Sequence, residues 1–162
     1  MMATIELKNV NRTFGTGIGQ VQALSAINFQ AQAGELTLIL GPSGSGKSTF
    51  LTIAGGLRRP SSGQVLIDSQ NIQDMNKHEL ERLRLNKIGF ILQSYNLLPY
   101  LTVAEQFQLV DRVKPNGNLN REELDQLMRE LDIVQLKNQY PDQLSGGQNQ
   151  RVAIARALYT NC

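Results

Sequence analysis

The chain has 162 residues, 41% hydrophobic and 19% charged, with no tryptophan and a formal net charge of +2. That suits one soluble globular domain with a sizeable core, and the charge excess is too small to argue for nucleic acid or an anionic membrane as partner. No apolar run approaches the roughly 18–20 residues of a membrane span. The N-terminus lacks the regions of a signal peptide, and the single cysteine, Cys162, rules out an internal disulfide and suits a reducing compartment.

In chain order, Ile5–Val10 alternates like a half-buried strand, Gly15–Gly19 reads as a loop or wide hairpin turn, and Val21–Phe29 as a returning strand. Gly34 turns the chain into the apolar run Leu36-Thr37-Leu38-Ile39-Leu40, expected as a buried strand. The run Gly41-Pro42-Ser43-Gly44-Ser45-Gly46-Lys47-Ser48-Thr49 follows and leads into a helix through Ala54. It fits the phosphate-binding pattern G-x-x-x-x-G-K-[ST] without a mismatch. Its glycines allow several N–H groups to be aimed at one anion, and the helix N-terminus adds positive potential. Lys47 is placed to reach β- and γ-phosphates, and the Ser48 hydroxyl to ligate the accompanying magnesium. The plainer alternative, a Gly/Ser turn with a surface lysine, does not account for the strand–loop–helix setting.

Beyond this loop, Pro60–Gly63 is a turn, Gln64–Asp68 a short strand and Lys77–Asn86 a helix. Ile88–Leu92 is a continuous apolar run, expected as a strand buried on both faces. Two helix starts carry capping boxes: Thr102 with Glu105, and Asn120 with Glu123. The second helix runs to about Asp132, its apolar face carrying Leu124, Leu127, Met128 and Leu131. Lys114–Asn118 between them is a loop, and a last helix follows Gly146-Gly147. His78, the only histidine, sits at a helix start and reads as a surface residue.

A second motif narrows the class. Leu144-Ser145-Gly146-Gly147-Gln148, followed by Gln150-Arg151-Val152-Ala153-Ile154-Ala155-Arg156-Ala157-Leu158, resembles the signature of ATP-binding cassette (ABC) ATPases. Ser145 offers a hydroxyl, the two glycines permit close backbone approach, and the helix points its N-terminus at whatever sits there. The alternative is a simple N-cap with glycines. The resemblance extends from Ile5 to Leu158.

That resemblance implies an α/β fold of the P-loop NTPase class and ABC type, with an antiparallel β subdomain, a nucleotide-binding core and a helical subdomain at roughly 94–145, all within one domain over 1–162. It implies ATP and Mg2+ as cofactors, with Gly41 to Thr49 around the phosphates and Ser48 and Gln93 near the metal. Lys47 and Gln93 carry the catalytic roles, and Leu144 to Gln148 meet the ATP of the opposite subunit. Phe14 falls where the family stacks an aromatic ring on adenine; a core phenylalanine is the competing reading. Gln93–Pro99 corresponds to the contact with a transmembrane permease, a plain loop being the alternative for Tyr95–Pro99.

The partners implied are that permease and a second ATPase subunit in a head-to-tail dimer, with no nucleic acid. The implied location is the cytoplasmic face of the membrane. Within the family, the segment Phe90–Val103 and the spacing around Phe14 look like the lipoprotein-releasing and macrolide-export ATPases. Ser69 and Gln106-Phe107 depart from that group's usual glycine and Asn-Val pair.

In this family an apolar strand ending in a metal-holding aspartate and a water-polarising glutamate follows the signature helix, and a switch histidine comes later. No such segment occurs up to Cys162, so the expectation is a partial cassette, C-terminally truncated, with little hydrolysis of its own. Chromosome-maintenance ATPases share Ser-Gly-Gly motifs but insert long coiled coils, and no heptad run separates Lys47 from Ser145 here. A nucleotide-binding fragment without turnover is the further alternative.

Overall fold

The computed structural model describes residues 3–162. The chain divides into two compact units, one ending at Arg82 and one covering Leu83–Cys162. One helix, α2 (Lys77–Lys87), runs through the division.

The first unit is built on an antiparallel sheet of β1 (Ala3–Phe14), β2 (Val21–Gln32), β3 (Ser62–Ile67) and β4 (Gln70–Asn71), in the order β2-β1-β3-β4. The hairpin β1–β2 pairs from Ala3 opposite Gln32 to Phe14 opposite Val21. It is not regular. Asn9 (φ 50°) and Ala26 (φ 47°) are left-handed where the register shifts. The irregularity resets the alternation, so Leu7 and Val10, three residues apart, both point inward and are buried. Asn side chains from each strand stitch the site: Asn28 Oδ1 accepts from Asn9 N at 2.9 Å and Asn11 Oδ1 from Ala26 N at 2.8 Å.

Gly63 on β3 faces the irregularity, where a Cβ would lie 2.3 Å from the Asn9 carbonyl oxygen. Only glycine fits there. Leu7, Val10, Val65, Ile67 and Ile72 form the inner layer, and α1 (Lys47–Ala54) contributes buried Phe50 and Ile53. The rings of Phe29 and Phe50 meet edge to face at 5.1 Å.

Two expected strands are absent. Residues 35–42 and 88–92 form no ladder, and Leu36, Leu38 and Leu40 are 86%, 73% and 86% exposed. Ile91 is likewise exposed, at 46%. A strand persists only beside another strand, and among the described residues none pairs with either segment. Their apolar composition predicted neither a strand nor burial correctly.

The second unit is helical. Its elements are α3 (Val103–Val113), α4 (Arg121–Glu130) and α5 (Gly146–Tyr159), with 3-10 turns at Val134–Leu136 and Pro141–Gln143. Both expected capping boxes form: Thr102 with Glu105, and Asn120 with Glu123. Val103, Phe107, Met128, Ile133, Leu136, Leu144, Val152, Ala155 and Tyr159 make one core, against which Leu124, Leu127 and Leu131 pack. Phe107 and Tyr159 meet edge to face at 5.4 Å.

The Tyr159 hydroxyl donates to Asp111 Oδ1 at 2.7 Å. Burial, reinforced by that carboxylate, pushes the phenol up to about 12 from an ordinary value near 10. The folded state therefore prefers the protonated phenol. Its contribution is complete below pH about 10 and is lost as pH rises through about 12. Thermal melts at pH 9 and 11 should show a drop in stability that is smaller in Tyr159→Phe. Equal drops in both proteins would refute the assignment.

Candidate nucleotide site

The phosphate-loop residues lie between the unpaired segment 35–40 and α1. Gly46 is the N-cap of α1, left-handed at φ 88°, and approaches β2 so closely that a Cβ would sit 2.5 Å from the Ala23 carbonyl oxygen. The hairpin thus serves as the floor on which the loop turns, and only glycine can make that turn. Phe50 is the first residue of α1 whose N–H reaches a carbonyl, that of Gly46 at 2.8 Å. Ahead of it, the N–H groups of Lys47, Ser48 and Thr49 donate to no carbonyl among the described residues. Gly41, Pro42, Ser43, Gly44, Ser45 and Ser48 are exposed, so this end of the helix is open to solvent.

Lys47 folds over the loop. Its Nζ donates to the carbonyl oxygens of Gly41 at 2.7 Å and Pro42 at 2.6 Å, and to Ser45 Oγ at 3.4 Å. The ammonium is thereby tied to the carbonyls at the start of the loop. Unsatisfied donors and a fixed cation suit a polyphosphate, and the exposed Ser48 hydroxyl is available to a magnesium ion bound with it.

Phe14 ends β1. Its ring is half-buried and lies outside the core, with the guanidinium carbons of Arg12 and Arg58 at 4.7 and 5.1 Å from the ring centre. Arg12 is steadied by donating from Nη1 to the Arg59 carbonyl at 3.2 Å. These two cations around the ring were not anticipated. Arg12 sits two residues before Phe14 on the same strand face, the one signal that could have pointed to it.

In the second unit, Ser145 caps α5. Its Oγ accepts from Gln148 N at 3.3 Å, and Gln148 Oε1 accepts from Ser145 N at 2.7 Å. The cap reading and the motif reading describe the same hydroxyl. Leu144 is buried and anchors the loop in the helical core, whereas Ser145, Gly146 and Gly147 are exposed. Asn149 Nδ2 braces the turn from behind, donating to the carbonyls of Pro141 at 3.0 Å and Leu144 at 3.2 Å.

Gln93 is exposed and stands just before a turn in which Tyr95 (φ 59°) and Asn96 (φ 49°) are both left-handed. Two residues to which the sequence assigned no such role hold that turn. Arg156 of α5 donates to the Asn96 carbonyl at 2.8 Å and the Tyr95 carbonyl at 3.1 Å. Gln106 of α3, only 1% exposed, donates to the carbonyls of Leu98 and Leu101 at 2.8 and 3.1 Å. Burial lowers the Arg156 pKa from its usual value. A glutamine and an arginine set inside apolar helix faces were the available clues.

Comparison with known proteins identifies the family. The profile described as "ABC transporter" matches residues 24–162. The uncharacterized ABC transporter ATP-binding protein MJ0796 of Methanocaldococcus jannaschii is 44% identical over 162 residues, covering 97% of this chain and 69% of its own. The methionine import ATP-binding protein MetN 1 of Bacillus cereus is 41% identical over 155 residues, covering 95% of this chain and 44% of its own. Among solved structures, the dimeric post-hydrolysis state of MJ0796 bound to ADP and Pi superposes with a TM-score of 0.85 at 43% identity, over 97% of this chain and 70% of that one.

Proposed function

Because this chain belongs to the ABC transporter family of ATP hydrolases, we propose that it serves as the ATP-binding subunit of a transporter, holding Mg–ATP on Gly41–Thr49. The observation that carries this reading is the loop itself. One short stretch of chain carries both the Lys47 ammonium, tied to the loop carbonyls, and first-turn amides of α1 that donate to no carbonyl among the described residues, a set of donors suited to an anion. Lys47 would hold the β- and γ-phosphates, Ser48 and Gln93 the magnesium, and the half-buried Phe14 the base. Magnesium supplies charge neutralisation between the phosphates when bound.

The signature loop Leu144–Gln148 would meet the nucleotide of a second subunit. That MJ0796 is dimeric in its state bound to ADP and Pi supports pairing of two such subunits, and the head-to-tail arrangement is part of the proposal. Residues 94–145 would act as the helical part of a single cassette, with Gln93–Pro99 against the permease at the cytoplasmic face of the membrane. No helix among the described residues is long and apolar enough to cross a membrane. In this reading the permease chooses the transported substance. Export is the direction we favour, on the resemblance of Phe90–Val103 to the lipoprotein-releasing group. MetN 1, named for methionine import, shows that the family also serves uptake.

A fluorescent ATP analogue titrated into the chain should bind saturably, be displaced by ATP and not by AMP, and shift the protein toward a dimer in sedimentation. Binding equally well displaced by AMP would refute the phosphate-loop reading.

A further inference from the structure

We infer that Arg156 is a positioning residue that fastens the segment following Gln93 to the Ser145–Gln148 loop, so that the two shift as one body. The inference rests on the proposed function, in which both segments serve nucleotide-driven work, but its geometry stands alone. Arg156 lies in the last turn of α5, the helix whose first turn is capped by Ser145. Its two terminal nitrogens take the carbonyls of Asn96 and Tyr95 at 2.8 and 3.1 Å. Consecutive left-handed residues are what bring both carbonyls to one guanidinium.

Gln106 completes the clamp from α3. Its Oε1 accepts from Leu98 N at 3.2 Å and from Arg156 Nη1 at 3.4 Å, while its Nε2 holds the carbonyls of Leu98 and Leu101. The Tyr95 side chain reaches the other end of α5, where a Cβ built on Gly146 would lie 3.7 Å from the Tyr95 hydroxyl. The turn after Gln93 therefore touches α5 near both ends. A planar, forked donor can serve two carbonyls at once, whereas a lysine ammonium acts as a point charge on a flexible stem. Gln106 thereby joins α3 to the clamp.

Amide hydrogen exchange on the full chain tests this. In the native protein, Gln148 and Asn149 are bonded to Ser145 Oγ and Ser145 O at 3.3 and 2.9 Å, and Tyr95 N to Leu92 O at 3.0 Å. Arg156→Lys should speed exchange at Tyr95, Leu98, Gln148 and Asn149 together, by about tenfold. Amides in the middle of α3 and α4 should keep their rates. Asn96→Gly approaches from the opposite side and leaves α5 unaltered. Glycine accepts the left-handed turn but loses the bond in which Ser94 Oγ donates to Asn96 Oδ1 at 2.8 Å. It should raise exchange at Gln148 and Asn149 as well, and it carries the test alone if Arg156→Lys does not fold. Acceleration confined to one segment, or spread evenly through α3 and α4, overturns the inference. Binding of the ATP analogue, read in the same samples, separates the two readings. A native chain that fails to bind nucleotide sinks the functional proposal, while coupled exchange would still establish the clamp.

Discussion

Nucleotide affinity should fall by about ten- to a hundredfold when Lys47 is replaced by methionine, the loss expected for a charge-assisted hydrogen bond to a phosphate. Methionine keeps the aliphatic stem and its packing, so the change isolates the ammonium. In the structure that ammonium also ties the carbonyls of Gly41 and Pro42, and the loop itself should loosen in the variant. The fold below it should not, because Gly46 seats against Ala23 and Phe50 packs on Phe29 independently of Lys47. Titration with the fluorescent analogue, beside a circular dichroism melt, checks both parts. A melt that collapses together with affinity would mean the lysine is structural, and unchanged affinity would mean that nucleotide does not sit on this loop.

Phe107→Ala is expected to destabilise the second unit by about 3–5 kcal/mol, the usual cost of deleting a buried aromatic ring. Phe107 is 3% exposed and lies in the core that includes Met128, Ile133, Val152 and Tyr159. Set against a total stability of about 5–15 kcal/mol for an ordinary domain, that loss is large enough to leave the signature helix poorly supported. Urea denaturation followed by tyrosine fluorescence should show the midpoint fall with little change in slope. A shift of less than about 1 kcal/mol would place the ring outside the core, contrary to its edge-to-face contact with Tyr159 at 5.4 Å.

Local chemistry was legible in the sequence wherever three or four residues suffice to define it. Thr102 with Glu105 and Asn120 with Glu123 close as the reciprocal caps expected, whereas the third such cap, Ser145 with Gln148, was not anticipated as one. The glycine-rich loop announced its own helix start. Pattern failed where a structure depends on a partner. Leu36–Leu40 and Ile88–Leu92 have strand composition, but composition cannot say whether a neighbouring strand is at hand. Alternation likewise overlooked the irregularity at Asn9, since it is the register shift that turns Leu7 and Val10 to one face. Arg156 and Gln106 were hidden for another reason. Each reads as a polar residue on a helix, and only the fold shows that both are aimed at the carbonyls of a distant turn.

The exposed leucines at 36, 38 and 40 recur with the two-residue spacing of a strand, on a stretch of backbone that pairs with nothing described. A greasy, unzipped ribbon of that kind is a template for lateral stacking between molecules. The colloidal behaviour of concentrated solutions should therefore be governed by these three side chains more than by the modest net charge of +2.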